Sequence, residues 1–373
     1  MSLLFSPLVL PSPRGGLRLA NRIVIAPMCQ YAANQGQASD WHLMHWGNLL
    51  NSGAALLTIE ATAVLPDGRI SPNCLGLWDQ RCADALADRL HRARALAPAM
   101  PVCLQLAHAG RKASSALPWN GAQLLTPDQG GWETFAPSAL SYLPSEKPPT
   151  ALTLEKMALI CEAFASAAKR AASMGIEAIE IHSAHGYLLH EFLSPLANQR
   201  DDDYGGSFEN RIRFPLEVFS AVRQAFEGVL GLRISATDWV EGGWDVEQSA
   251  ALAKRLKANG CDFIHVSSAG VSPAQKIVLA PGYQVPFARQ IRQASAMVTT
   301  AVGLITQARQ AEEILQSGDA DLIGLARTFM YQPRWPWQAA AELGGAVQAH
   351  PAYWRCLPRE AKDVFGKVSV GIR

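Results

Sequence analysis

Two imidazoles, His182 and His185, stand three residues apart at the end of an apolar run, and the phenol of Tyr187 follows. In a helical turn that spacing brings both rings to one site, where two N–H donors can grip a single carbonyl oxygen. As zinc ligands the pair lacks partners, and as core histidines it would leave an unusually polar strand end. Arg233 closes a second apolar run. It offers a fixed positive charge for a developing anion, or else one half of a structural ion pair. Gln105 both donates and accepts, which matches a ring edge with alternating polar groups. Gly303 and Arg327 follow two further apolar runs, where backbone amides and a guanidinium can hold a dianion. Pro27-Met28-Cys29, Ala61, Ser267-Ser268 and Ala326 complete the set of strand ends. No carboxylate is among them, which disfavours a divalent-metal site. An aldolase or isomerase barrel would also need a catalytic carboxylate or a Schiff-base lysine at a strand end, and neither is found. A phosphorylated organic cofactor beneath an oxygen-bearing substrate suits the set better.

Positioning these groups requires eight short β-branched runs alternating with helical-period segments. The runs are 22–28, 55–61, 101–106, 178–182, 231–235, 263–267, 298–302 and 322–325. Eight βα units predict a parallel (β/α)8 TIM barrel, an α/β fold in one domain spanning 1–373, and no G-x-G-x-x-G supports an open dinucleotide-binding sheet. The clearest helix is 153–174, with Thr153 as cap and Gly175 as stop. The Pro/Gly/Trp-rich insertion 107–150 is too long for an idle loop and is expected to cover the barrel mouth. The turn formers of 7–19 are expected to plug the barrel bottom.

Composition sets outer bounds. Of 373 residues 49% are hydrophobic and 17% charged, ample for a core without staples. The net charge of +1 provides no global field for nucleic acid or an anionic membrane. Seven cysteines contain no C-x-x-C pair, as expected of reduced thiols rather than disulfides, zinc or iron–sulfur ligands. The apolar start lacks a basic n-region, and no run approaches a membrane span, so a cytoplasmic protein is expected.

The run Asn21-Arg22-Ile23-Val24-Ile25-Ala26-Pro27-Met28-Cys29-Gln30-Tyr31 and the segment His182-Ser183-Ala184-His185-Gly186-Tyr187-Leu188-Leu189 resemble the Old Yellow Enzyme family. So do Asn198, Arg200, Tyr204-Gly205-Gly206 and Glu209-Asn210-Arg211, then Pro281-Gly282-Tyr283-Gln284, Ala301-Val302-Gly303-Leu304-Ile305 and Ala320-Asp321-Leu322. The likeness runs over nearly the whole chain, and Cys29 with Tyr31 resembles the thermophilic-like branch.

The resemblance implies an ene-reductase with tightly bound FMN, reduced by NADPH or NADH, that saturates alkenes activated by carbonyl or nitro groups in a ping-pong cycle through flavin N5. It places Ala26, Pro27, Met28, Cys29, Ala61, Gln105, Arg233, Gly303, Ala326 and Arg327 at the cofactor, with Ser268 and Gln284 near the ribityl-phosphate arm. Most relatives have glycine where Ala326 stands, a change tolerable if φ is negative. By the same resemblance His182 and His185 polarise the substrate, Tyr187 protonates the alkene α-carbon, Cys29 tunes the flavin, and Tyr31 helps bind substrate. Arg355, in an aromatic C-terminal segment at about 345–373, is expected to reach a neighbouring active site in a homodimer or homotetramer. Two alternatives stand beside this: a dienoyl-thioester reductase-like enzyme, which would need an iron–sulfur cysteine cluster, and a flavin-binding barrel without catalysis, which would not need His182, His185, Tyr187 and Arg233 together.

Overall fold

The computed structural model describes residues 2–357 and 359–369. In chain order the strands and helices are β1 (Leu8–Leu10), β2 (Leu17–Leu19), β3 (Ile23–Ile25), α1 (Asp40–Leu50), β4 (Leu56–Ala63), α2 (Gln80–Arg94), β5 (Val102–Ala107), β6 (Phe135–Ala136), β7 (Thr150–Ala151) and α3 (Leu154–Ser173). There follow β8 (Ala178–Ser183), α4 (Leu188–Leu193), α5 (Phe208–Ala225), β9 (Val229–Ser235), α6 (Val246–Ala258), β10 (Phe263–Ser267), α7 (Val285–Ser295), β11 (Val298–Ala301), α8 (Ala308–Gln316), β12 (Leu322–Leu325), α9 (Arg327–Tyr331) and α10 (Trp335–Leu343). Strands β3, β4, β5, β8, β9, β10, β11 and β12 pair in parallel in that order, and the sheet closes into a barrel. This is the (β/α)8 fold.

Side chains alternate across a strand, so in-register parallel neighbours place residues of one parity on one face. Val24, Leu56, Cys103, Ala178, Val229, Phe263 and Leu322 pack together in this way. Leu10 and Leu19, from the antiparallel β1–β2 pair, complete the same cluster with no exposed surface. The expected plug therefore fills the N-terminal end of the barrel with hydrocarbon. Further along the same strands the same parity turns polar: Gln105, Glu180, His182, Arg233 and His265 are all buried.

The strand limits shift where backbone chemistry requires it. β3 stops at Ile25, short of the expected residue 28, because Pro27 lacks an N–H for the ladder. β4 continues past Ala61 to Ala63, with a register shift between Ile59 and Thr62. Helix α3 matches its expectation: the Thr153 side chain accepts from Lys156 N, and Gly175 takes φ +72° beyond the end.

The insertion between β5 and α3 lies over the mouth. Arg111 donates to the carbonyls of Leu140, Ser141 and Val271, and Trp119 meets the Tyr31 ring edge-on at 5.8 Å. No helix among the described residues is long and apolar enough to cross a membrane.

Glu191 on α4 anchors the start of this lid, accepting from Arg111 N at 2.9 Å. Burial pushes its carboxyl from 4.5 up to about 8, against the opposing pull of Arg111 and Lys112. Between those values an unfolded chain sheds the proton while the folded one keeps it, so this group erodes stability as pH rises through the window. Glu191→Gln keeps an acceptor for Arg111 N and never ionises. Its melting temperature should exceed that of the parent by a margin that grows from about pH 5 to about pH 8. A pH-independent margin would mean that the carboxyl is ionised in the fold.

Candidate active site

Two cavities open at the C-terminal ends of the strands and share Arg233, Ala326 and Arg327. The first, about 290 Å³, is also lined by Pro27, Met28, Cys29, Tyr31, Ala61, Gln105, His182, His185 and Tyr187. The second, about 570 Å³, runs past Ser267, Gln284, Gly303 and Leu304 toward α9. Their size falls in the range of small-molecule and cofactor sites. Nearly every predicted site residue thus lines one or the other of these adjoining cavities. Ala26 stands behind it, bonding Leu325 O through its N–H, and Ser268 stands behind Gln284. Arg355 lies elsewhere, exposed on the turn Pro351–Cys356.

His182 is the last residue but one of β8, but His185 is not one helical turn on, as the spacing suggested. The chain instead turns through two left-handed residues, His185 at φ +60° and Gly186 at +75°. A Cβ on Gly186 would lie 2.1 Å from Gly270 O, so the histidine loop and the 268–271 loop touch backbone to backbone. Ser235 Oγ accepts from His185 N at 2.9 Å and donates to Ala269 O, tying the two loops together. The result brings both rings and the phenol into contact. His182 meets His185 edge-on at 5.1 Å between centroids and Tyr187 at 4.9 Å.

The proton positions follow from the partners. Ala184 N donates to His182 Nδ1, so the neutral His182 ring carries its hydrogen on Nε2, 3.4 Å from His185 Nδ1. His185 Nε2 then donates to Ser267 Oγ at 2.8 Å. The rings therefore donate in series rather than converging on one point, and the contact between them is the weak one. Burial first, then the charge of Arg233, holds both imidazoles far below the usual histidine range. Burial, followed by Cys29 and Tyr31, raises the Tyr187 phenol well above 10. Near neutral pH the site presents two neutral imidazoles and a protonated phenol.

Arg233 is buried, forms no ion pair among the described residues, and leaves its Nε without a partner. The structural ion-pair reading therefore fails, and the guanidinium is left for something that enters the cavity. Gly303 sits at φ +110°, and a Cβ there would approach Gln284 Nε2 to 2.6 Å. Gln284 accepts from Ser268 Oγ at 2.6 Å, which in turn accepts from Trp239 Nε1. Ala326 takes φ −110°, so the methyl group in place of the usual glycine costs no left-handed strain.

Cys29 meets Cys74. That hydrogen bond, and then burial, keeps the Cys29 sulfur protonated. Several groups escaped the reading of strand ends. Glu180 and His265 lie in register beside two members of the expected cluster, Gln105 and Arg233, and Glu60 accepts from Gln30 N at 2.7 Å. Lys112 of the lid donates to His185 O and stands 5.3 Å from the Tyr187 ring centre; burial lowers it to about 8. The signal for Glu180 was available, since an acid of inward parity in Ala178–Ser183 cannot reach water. Lys112 lies in a single 3-10 turn and Cys74 in an irregular segment, and neither gave a periodic signal.

The description of the NADH:flavin oxidoreductase / NADH oxidase family fits residues 3–344. An NADPH dehydrogenase of Geobacillus sp. (strain WCH70) is 42% identical over 95% of this chain and 98% of its own length. One from Halalkalibacterium halodurans is 44% identical over 91% and 96%. Among solved structures, morphinone reductase superposes with a TM-score of 0.74 at 28% identity, covering 94% of this chain and 92% of that one, and has also been solved with tetrahydroNAD. A 2-naphthoyl-CoA reductase complex shares the fold at TM-score 0.80 and 22% identity, with 52% of its chain covered.

The contact between the two loops gives a direct test. Gly186→Ala should destabilise the protein by about 1–3 kcal/mol in denaturant unfolding, because the added methyl forces strained φ against Gly270 O. An unchanged unfolding midpoint would show that the loops are free to separate.

Proposed function

Because the chain belongs to the Old Yellow Enzyme family of NADH:flavin oxidoreductases, enzymes that carry FMN and draw on NADPH or NADH, we propose that it reduces the C=C bond of alkenes activated by a carbonyl or nitro group. The observation that carries this reading is the grouping of an unpaired buried arginine, two neutral imidazoles and a protonated phenol around one cavity. The lining fits FMN. Arg233 and Gln105 offer a charge and a carboxamide to the polar edge of the ring, while Gly303 and Arg327 offer backbone and guanidinium donors to the phosphate. Pro27, Met28, Cys29, Ala61 and Ala326 would form the remaining walls, with Ala26 behind them. When bound, FMN accepts hydride from the reduced nicotinamide and supplies it to the alkene β-carbon.

The chain's own groups do the rest. A carbonyl oxygen entering the first cavity takes the Nε2–H of His182 in place of the weak 3.4 Å contact with His185, and His185 turns toward the same oxygen. Both rings donate as neutral groups, so they polarise the substrate without surrendering a proton to it. Tyr187 is the acid that remains: its raised pKa keeps the proton in place until a carbanion-like α-carbon takes it. Trp119 of the lid, packed edge-on against Tyr31 of the segment after β3, narrows the entrance and keeps water from competing for that carbon. A soluble cytoplasmic homodimer or homotetramer completes the reading, with Arg355 of each subunit directed at its neighbour's mouth.

Tyr187→Phe should leave reduction of bound FMN by NADPH within about twofold of the parent and slow reoxidation by cyclohexenone by about 10²-fold or more in stopped-flow traces. Equal slowing of both half-reactions would remove the proton-donor role. Arg355→Ala should raise the KM for cyclohexenone while FMN content and assembly stay constant; a monomer of full activity in sedimentation and turnover assays would contradict the shared site.

A further inference from the structure

Beneath the residues that face the cavity lies a buried acid that the reaction above does not use. Glu180 is 1% exposed. One carboxylate oxygen accepts from Gln105 Nε2 at 2.6 Å, its in-register neighbour on β5. The other meets His265 Nδ1 at 2.7 Å, two strands away on β10. Between those strands β9 supplies Gly231, which has no side chain to intervene, and then Arg233. His265 Nε2 has no partner among the described residues, and a Cβ on Gly324 would come within 3.1 Å of it. A second N–H on this ring would therefore be an unsatisfied buried donor, so the ring is neutral and donates only to Glu180. Burial by itself would drive the Glu180 carboxyl toward protonation. His265, Arg233 and Gln105 together outweigh burial and keep it ionised.

Two consequences follow. A carboxylate accepts only, so it fixes the Gln105 amide with nitrogen down and oxygen up, leaving an acceptor for the cavity. Its negative charge also offsets part of the field that Arg233 sends into the same cavity. We propose that Glu180 is a positioning residue for the flavin: through Gln105 it sets the acceptor presented to the ring, and through Arg233 it limits how strongly the anionic reduced cofactor is stabilised. The proposal rests on the FMN reading of this cavity.

The experiment compares flavin-loaded wild type with Glu180→Gln, Glu180→Asp and Arg233→Leu, measuring the midpoint potential by anaerobic reductive titration and FMN affinity by fluorescence. Glu180→Gln removes the charge and lets a new amide compete for Gln105. Its midpoint potential should move positive, and its FMN dissociation constant should rise at least about tenfold, as expected for one lost charge-assisted hydrogen bond. Glu180→Asp, which keeps the charge, should restore the potential toward wild type. If Glu180→Gln does not fold, His265→Leu, which removes one of the two donors and favours protonation of Glu180, should move the potential in the same direction. A flavin-loaded Glu180→Gln or His265→Leu protein with unchanged potential overturns the proposal. If Arg233→Leu also leaves potential and affinity untouched, the FMN reading of the cavity fails instead; an effect of Arg233→Leu alone sinks only the role of Glu180.

Discussion

A guanidinium buried near the end of β9, with no ion pair among the described residues, is the constraint on which the site depends. An isolated buried cation costs several kcal/mol unless something answers it. Here the answer from the protein is partial: Glu180 lies close by but spends its hydrogen bonds on Gln105 and His265, and Arg233 Nε stays bare. The field of the same charge helps deny His182 and His185 a second proton. One unpaired arginine thus adds to burial in keeping both imidazoles neutral and leaves a strong donor facing the cavity.

The barrel makes such a charge tolerable by separating its two ends. The β1–β2 pair seals the bottom with Leu10 and Leu19, so the apolar cluster inside the barrel is gathered at the end where no chemistry occurs. The strand ends above can then carry Gln105, Glu180, His182, Arg233 and His265 on the same interior parity. Loops lock the upper groups in place. The closest example is the contact of Gly186 with Gly270, where the absence of side chains lets two backbones meet and fixes the directions of His185 and Tyr187.

The alternation of β-branched runs with helical segments revealed the eight strands, the closing order and the long lid, because those features follow from burial and periodicity. Strand ends then pointed to His182, Arg233, Gln105 and Arg327. Two kinds of information were not legible. The first is loop conformation: the spacing of His182 and His185 resembles a helical turn, but glycine at 186 and 270 permits a left-handed turn that no periodicity reports. The second is which groups meet. The burial of Glu180 follows from its parity, but only the register puts it against Gln105, and Cys74 lies in an irregular segment that reaches Cys29 only through the fold.

The central claim is that this cavity passes hydride from a nicotinamide to an activated alkene through bound FMN. The most direct measurement is anaerobic: the purified yellow protein is bleached with one equivalent of NADPH, then mixed with cyclohexenone in the absence of oxygen while the flavin absorbance is followed. The account predicts that the oxidised flavin band returns and that cyclohexanone accumulates in equal amount. A flavin that stays bleached in the presence of excess enone, yet reoxidises at once in air, would contradict it.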